Sequence, residues 1–234
     1  MSRTRIPTFR NIVAASACLL AVNAAHAQLS ALSGLAASLG GMVSGATGIG
    51  VPDAGYDVDG FVRKSAELSE VASRAVTAIN AAFATDEQLT AKRAALAAIA
   101  VVADPKARQA RYAELYAAES AETKRLLDSG EMEQRMARLD SDKKKLIGQA
   151  LLNFALGSLQ AIELGKHGQA LVQQAGMSPI ELVRILPVKD AIPMLGKVAV
   201  DASGFVGGVV KLARAANISV PEARAGSAPE SLNV

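Results

Sequence analysis

Apolar residues recur at three- and four-residue intervals over most of the chain, the spacing of helices with one buried face. The first long series covers about Asp59 to Ala84. Val58, Phe61, Val62, Leu68, Val71, Ala72, Ala75, Val76, Ile79 and Phe83 keep the period, while Arg63, Lys64, Glu67, Glu70 and Arg74 lie mainly off it. Thr85 and Gln88 read as a capping box, and Leu89, Leu96 and Ile99 carry a second stripe to Asp104. Asp104 and Pro105 are the cap and first residue of a third helix, which passes through Tyr112, Leu115, Tyr116 and Leu126 to a stop near Gly130. A short helix is expected over residues 132 to 139. Strand-like alternation is missing over any sustained run.

Beyond Lys145 charged side chains become sparse, and the second half is expected to be the more deeply buried. Leu146 to Leu164 is apolar on nearly all sides, which places it in a core or a membrane. Gln149, Asn153, Gln160 and Glu163 interrupt it and favour a central core helix, because such groups are costly in hydrocarbon. Gly165 and Gly168 flank Lys166 and His167 and read as a helix break or loop, since each glycine costs about 1 kcal/mol inside a helix. Ser178, Pro179 and Glu181 mark a helix start, with Met177 and Leu182 as its hydrophobic staple and an end at Leu186, before Pro187. After Pro193 a last apolar helix is expected to reach about Ala216, with Asn217 as a left-handed stop. Residues 219 to 234 hold too little apolar content to order themselves and read as a disordered tail.

The N-terminus changes the picture. Arg3, Arg5 and Arg10 precede the short apolar run Asn11 to Val22, and Ala25 and Ala27 occupy the small-residue positions of a signal-peptidase site. Residues 1 to 27 are thus expected to be a cleavable signal peptide, and the protein periplasmic or secreted. Residues 28 to 56 read as a glycine-rich arm or linker, uncharged from Leu29 to Gly50, with Leu29, Leu32, Leu35 and Leu39 able to form a short docking helix. No strand precedes its glycines and no lysine stands where a phosphate-binding loop needs one.

Removal of the signal takes three of the 25 basic residues, and the remaining 22 equal the 22 acidic ones. Nucleic-acid binding, which relies on excess Lys and Arg facing phosphates, loses its support. Cys18 leaves as well, so the mature chain offers no thiol for a disulfide, a nucleophile or a metal site. Tryptophan is absent and tyrosine scarce, which leaves little for a sugar-stacking platform.

Candidate chemistry is thin. His167 follows Glu163 by one helical turn, an arrangement that can set up a general base, but a solvated histidine is the better reading. A lone histidine without cysteine lacks partners at metal-ligand spacing, and no cofactor is implied. Glu119 and Ser120 are similar to the catalytic-acid region of lytic transglycosylases over two residues only. The glycine- and glutamine-rich continuation is absent, and Glu119 reads as part of a solvated face. Lys143, Lys144 and Lys145 could touch an anionic surface, although Asp140 and Asp142 suggest a neutralised helix start. Small residues at four-residue spacing, Gly41 with Gly45, Gly157 with Ala161 and Gly165, and Gly204 with Gly208, could let another helix approach closely.

The expected architecture is an all-α bundle of five to seven helices over residues 57 to 218, in which charged amphipathic helices (57 to 145) cover apolar core helices (146 to 218). The expected function is non-enzymatic: binding of an envelope protein or lipid through a helical surface. Gly157, Ala161, Gly165, Gly204, Gly208 and Lys143 to Lys145 are the candidate contacts, and a homo-oligomer or peripheral membrane contact is compatible with them. An apolar-ligand or membrane-binding protein is the alternative, and a cell-envelope hydrolase a weaker one.

Overall fold

The computed structural model describes residues 57–175, 179–223 and 227–234. These residues hold seven helices and no strand: α1 (Val58–Ala81), α2 (Asp86–Ala100), α3 (Pro105–Asp128), α4 (Glu131–Met136), α5 (Ser141–Gln174), α6 (Pro179–Ser203) and α7 (Phe205–Ala215). The signal segment, the arm, and the Ser178 and Met177 start signals lie outside the described residues.

Helix starts follow local chemistry. The Asp57 carboxylate accepts from the Gly60 amide at 2.7 Å, Asp104 from Ala107 at 3.0 Å and Asp140 from Lys143 at 2.8 Å. Each satisfies an amide that has no partner inside its helix. Thr85 and Gln88 exchange both bonds of the expected capping box. Gly130 sits at φ 73° between α3 and α4, in the left-handed region that glycine enters without a Cβ clash. Asn217, at φ 56°, ends α7 as expected.

α1 lies at the centre. Phe61 of α1 packs against Gly168 of α5, and Val71 packs against Gly157, so these two helices run antiparallel. On its other side α1 runs parallel to α3, with α2 as the return connection. Ser73 reaches the Tyr112 carbonyl at 2.7 Å, and Asn80 donates to the Glu119 carbonyl at 2.9 Å. Both pairs advance by two helical turns, which fixes the parallel register. Tyr116 of α3 stacks on Phe154 of α5 at 6.4 Å, and Phe154 meets Phe205 of α7 at 6.5 Å. This aromatic row joins three helices through the core.

Four expectations need correction. α1 is no covering helix. From Ala72 to Ala82 it is buried nearly all round, because alanine, serine and valine let neighbours close in on two sides. α5 does not break at Gly165 or Gly168 and continues to Gln174. The Gly168 position has no room for a Cβ, which would stand 2.6 Å from the Phe61 ring, so this glycine serves close packing.

α6 runs through Pro187 and Pro193 rather than ending at Leu186. Neither proline is buried, while Ile185, Val188, Ala191 and Leu195 form the buried row. The carbonyls left without an amide donor belong to Val183 and Lys189, which are exposed, so water can replace the lost bonds. The chain breaks instead at Gly204.

Residues 219–223 and 227–234 lie against the bundle rather than forming the disordered tail that the composition suggests. Ala223 and Leu232 are buried, and Val220 and Val234 pack against the core. The Ser219 carbonyl crosses α5 so closely that Gly148 has no room for a Cβ. A few apolar contacts and a glycine crossing order a segment that average composition assigns to solvent.

Candidate functional site

One end of the bundle collects the starts of α1, α3 and α6 and the finish of α5. Lys106, at the start of α3, pairs with Asp190 of α6 at 3.5 Å, and Gly168 of α5 faces both Phe61 and Ile192. At this end α6 turns Ile185 and Val188 inward but leaves Ile180 82%, Val183 68% and Leu186 50% exposed. These three residues are spaced by three and form one ridge on the helix. Leu182 is also exposed, and Val101, five residues before Lys106, is 82% exposed. Ile180, Leu182, Val183 and Leu186 make an apolar patch among the described residues at the start of α6, the kind of feature that marks a contact site. Arg184 and Lys189 are exposed beside the ridge.

The residues singled out from the sequence are not gathered there. Gly157 and Ala161 are buried, and a Cβ at 157 would touch Val71 at 3.5 Å, so this pair serves the α1 contact. Gly165 has open space around its Cβ position. Gly204 is the exposed break before α7, whereas Gly208 lies under Leu127, whose methyl would stand 2.6 Å from a Cβ. The two glycines therefore form no continuous strip. Lys143, Lys144 and Lys145 are the third to fifth residues of α5, with Lys143 and Lys145 exposed. At 1.5 Å per residue they lie about 40 Å along α5 from the apolar end. The Glu163 carboxylate bonds Lys166 at 2.9 Å, on the exposed side of the helix that also carries His167.

Glu119 is not on a solvated face. Its carboxylate accepts from the Lys92 ammonium at 2.7 Å and from the Asn80 amide, and Thr123 donates to the Asn80 carbonyl oxygen at 2.8 Å. The ion pair is largely shielded, with side-chain exposures of 19% for Lys92 and 8% for Glu119. A carboxylate so placed needs a fixed cation, and α2 is positioned to bring one. Nearby, the Tyr116 hydroxyl donates to Asp201 at 2.8 Å, and Lys197 bonds the same carboxylate at 2.6 Å while lying 5.2 Å from the Tyr116 ring centre. Burial and then the Asp201 charge hold the Tyr116 phenol far above its ordinary range. These groups bond one another across α1, α2, α3 and α6, so they act as ties between helices. A sequence signal for a polar contact here is the buried series Ser65, Ser69, Ser73 and Thr77 at four-residue spacing on α1, of which Ser73 reaches α3.

A cleft of about 620 Å³ lies between α1, α5 and the C-terminal segment. Lys64, Glu67, Glu70 and Arg74 line the α1 wall and Asn153 and Gln160 the α5 wall, with Leu68 and Val71 among the apolar groups. Asn153 and Gln160, which interrupt the apolar pattern of α5, thus face this cleft. No residue of 193 to 216 lines it, so it is a different space from the lipid cavity expected between residues 146 to 164 and 193 to 216. The stretch Leu182–Ala215 contains an 18-residue window of mean hydropathy 1.2, long and apolar enough to cross a membrane, but its inner row is packed in the bundle. Among the described residues no group of His, Cys, Asp and Glu could hold a metal ion.

A scan against protein-family models finds no match, and searches of curated proteins and of solved structures return none.

Proposed function

We propose that this chain is an exported, non-enzymatic helical protein that binds another protein of the envelope through the apolar end of α6. The supporting observation is the ridge of Ile180, Val183 and Leu186, which leaves large aliphatic side chains in water although the inner row of the same helix is buried. Exposing such groups costs roughly 1.5 to 3 kcal/mol per side chain relative to burial, so a surface that retains three of them in a row gains by being covered. Export rests on the basic, apolar and small-residue sequence of residues 1 to 27.

A second reading is supported by Arg184 and Lys189. Basic side chains beside an apolar ridge suit a peripheral contact with an anionic bilayer.

Site-specific photo-crosslinking in cells separates the readings. A crosslinker at position 183 is expected to give a discrete protein adduct that position 145 does not give and that Ile180→Asp removes. Co-flotation of the purified chain with anionic vesicles, lost on Ile180→Asp and without any protein adduct, would replace the first reading by the second. An adduct of twice the chain mass would identify a second copy as the bound protein.

A further inference from the structure

We infer that the groove between α1 and α5 is a binding site for an extended peptide, and that Ser227–Val234 is its resident, displaceable occupant. The site is separate from the apolar end of α6 and stands or falls independently of it. Asn153, 3% exposed on α5, makes two bonds with one residue of the strap. Its amide donates to the Glu230 carbonyl at 2.7 Å, and its carbonyl oxygen accepts from the Glu230 amide at 2.7 Å. Such a pair reads main chain rather than side chain, as in recognition modes that bind extended segments through backbone hydrogen bonds and use alternate side chains for selectivity.

The strap provides that alternation. Ser231 and Asn233 are exposed, Leu232 is buried and Val234 is half-buried, the period of an extended chain. Glu230 accepts from the Gln149 amide at 2.7 Å. The groove therefore selects a carboxylate at one position and an aliphatic side chain two positions later. Gln149 and Asn153 are one helical turn apart on α5, so both reach the same strap residue, Glu230.

Two further observations separate this contact from ordinary tail packing. The strap belongs to no helix and has no strand partner, so it can leave without unfolding a neighbouring element. It also leaves the 620 Å³ cleft open along its length, walled by Lys64, Glu67, Glu70 and Arg74, so the groove exceeds its occupant. A covalently tethered segment holds such a site through effective concentration rather than through strong contacts. The occupant we assign is an extended segment of another protein with an acidic residue, any residue and then an aliphatic one, which competes with the strap for Asn153.

The test uses a fluorescent peptide with the sequence of Ser227 to Val234. The unaltered chain is expected to bind it weakly, because its own strap competes. Glu230→Pro in the full chain removes the amide that Asn153 accepts from, and should bind the peptide about tenfold more tightly. Adding Asn153→Ala to that chain should abolish the gain. A folded Glu230→Pro chain with unchanged peptide affinity would overturn the proposal. Amide exchange in the unaltered chain gives a second reading that needs no variant: the Glu230 amide should exchange by local opening, faster than that of Leu151. Exchange of both at a common global rate would also overturn it.

Discussion

The two long neighbours of α1 are held by different means. Toward the antiparallel α5, contact is apolar and close: Phe61 over Gly168, Val71 over Gly157, with Leu68 and Val76 buried. Toward the parallel α3, contact passes through hydroxyls, an amide and a carboxylate: Ser73, Asn80, Thr123 and Glu119. Antiparallel helices gain from opposed dipoles and can pack by shape alone. Parallel helices joined by a crossover have no such aid and could slide. Bonds from Ser73 and Asn80 to carbonyls two turns apart on α3 allow only one register. Apolar contact supplies most of the stabilisation here, and the polar face supplies alignment.

The largest effect should come from the apolar side. Phe154 is fully buried between Tyr116 and Phe205, so Phe154→Ala is expected to cost about 3 to 5 kcal/mol in urea unfolding. A cost below 1 kcal/mol would mean that the aromatic row is not the centre of the core. Next is Lys92→Ala, which strands the Glu119 carboxylate. With Lys92 partly exposed, a loss of roughly 2 to 3 kcal/mol is expected, somewhat below that of a fully buried pair. Replacing both, as Lys92→Met with Glu119→Leu, should restore most of this stability, because an ion pair of this kind adds little over apolar groups of similar size. If the polar face only aligns, the double variant keeps its stability, and its register as well, because the Ser73 and Asn80 bonds to the α3 carbonyls remain. If both variants are equally weak, the network is a source of energy and the contrast fails. Ser73→Ala is a smaller perturbation, about 1 kcal/mol, from loss of the bond to the Tyr112 carbonyl.

The legibility of these features differs by their range along the chain. The Thr85 and Gln88 box, the Asp104 and Pro105 start and the Asn217 stop are local, and all form as read. Gly165, Gly168, Pro187 and Pro193 were the local signals that misled. Each disfavours helix in isolation, yet Phe61 fills the space at Gly168, and solvent compensates the carbonyls opposite the prolines. Tertiary packing outweighs about 1 kcal/mol for a glycine, and the surface position softens the larger proline cost. Asn153 carried a message that its neighbours in sequence could not supply. As a polar residue in an apolar run it argued against a membrane, but its partner, Glu230, lies beyond α7. The apolar end of α6 was hidden for a related reason: its residues repeat the helical period, and only packing reveals which of them remain uncovered.

The smallest neutral-pH effect belongs to Tyr116, and its value lies in its pH dependence. The phenol is raised first by burial and then by the Asp201 carboxylate, to which it donates, while Lys197 holds that carboxylate from the other side. Tyr112, on the polar face, is raised by burial and by Glu70. For a group raised in the folded state, the stabilising contribution is complete below the unfolded pKa, about 10 for tyrosine, and is lost as pH rises beyond it. The unfolded chain can release its phenol proton there, whereas the folded chain must place a phenolate beside Asp201. At pH 7, Tyr116→Phe should therefore cost only about 1 kcal/mol, the value of one hydrogen bond. Above pH about 10 the unaltered protein loses stability with each step in pH, and the variant loses less, because the Tyr116 share of that slope is gone while that of Tyr112 remains. Parallel stability curves for the two proteins through the alkaline range would show that Tyr116 ionises freely, and that α3 is not sealed against α5 at the aromatic row. A flatter curve for the variant places the dry boundary of the apolar core at the Tyr116 hydroxyl, where the polar ties of α3 begin.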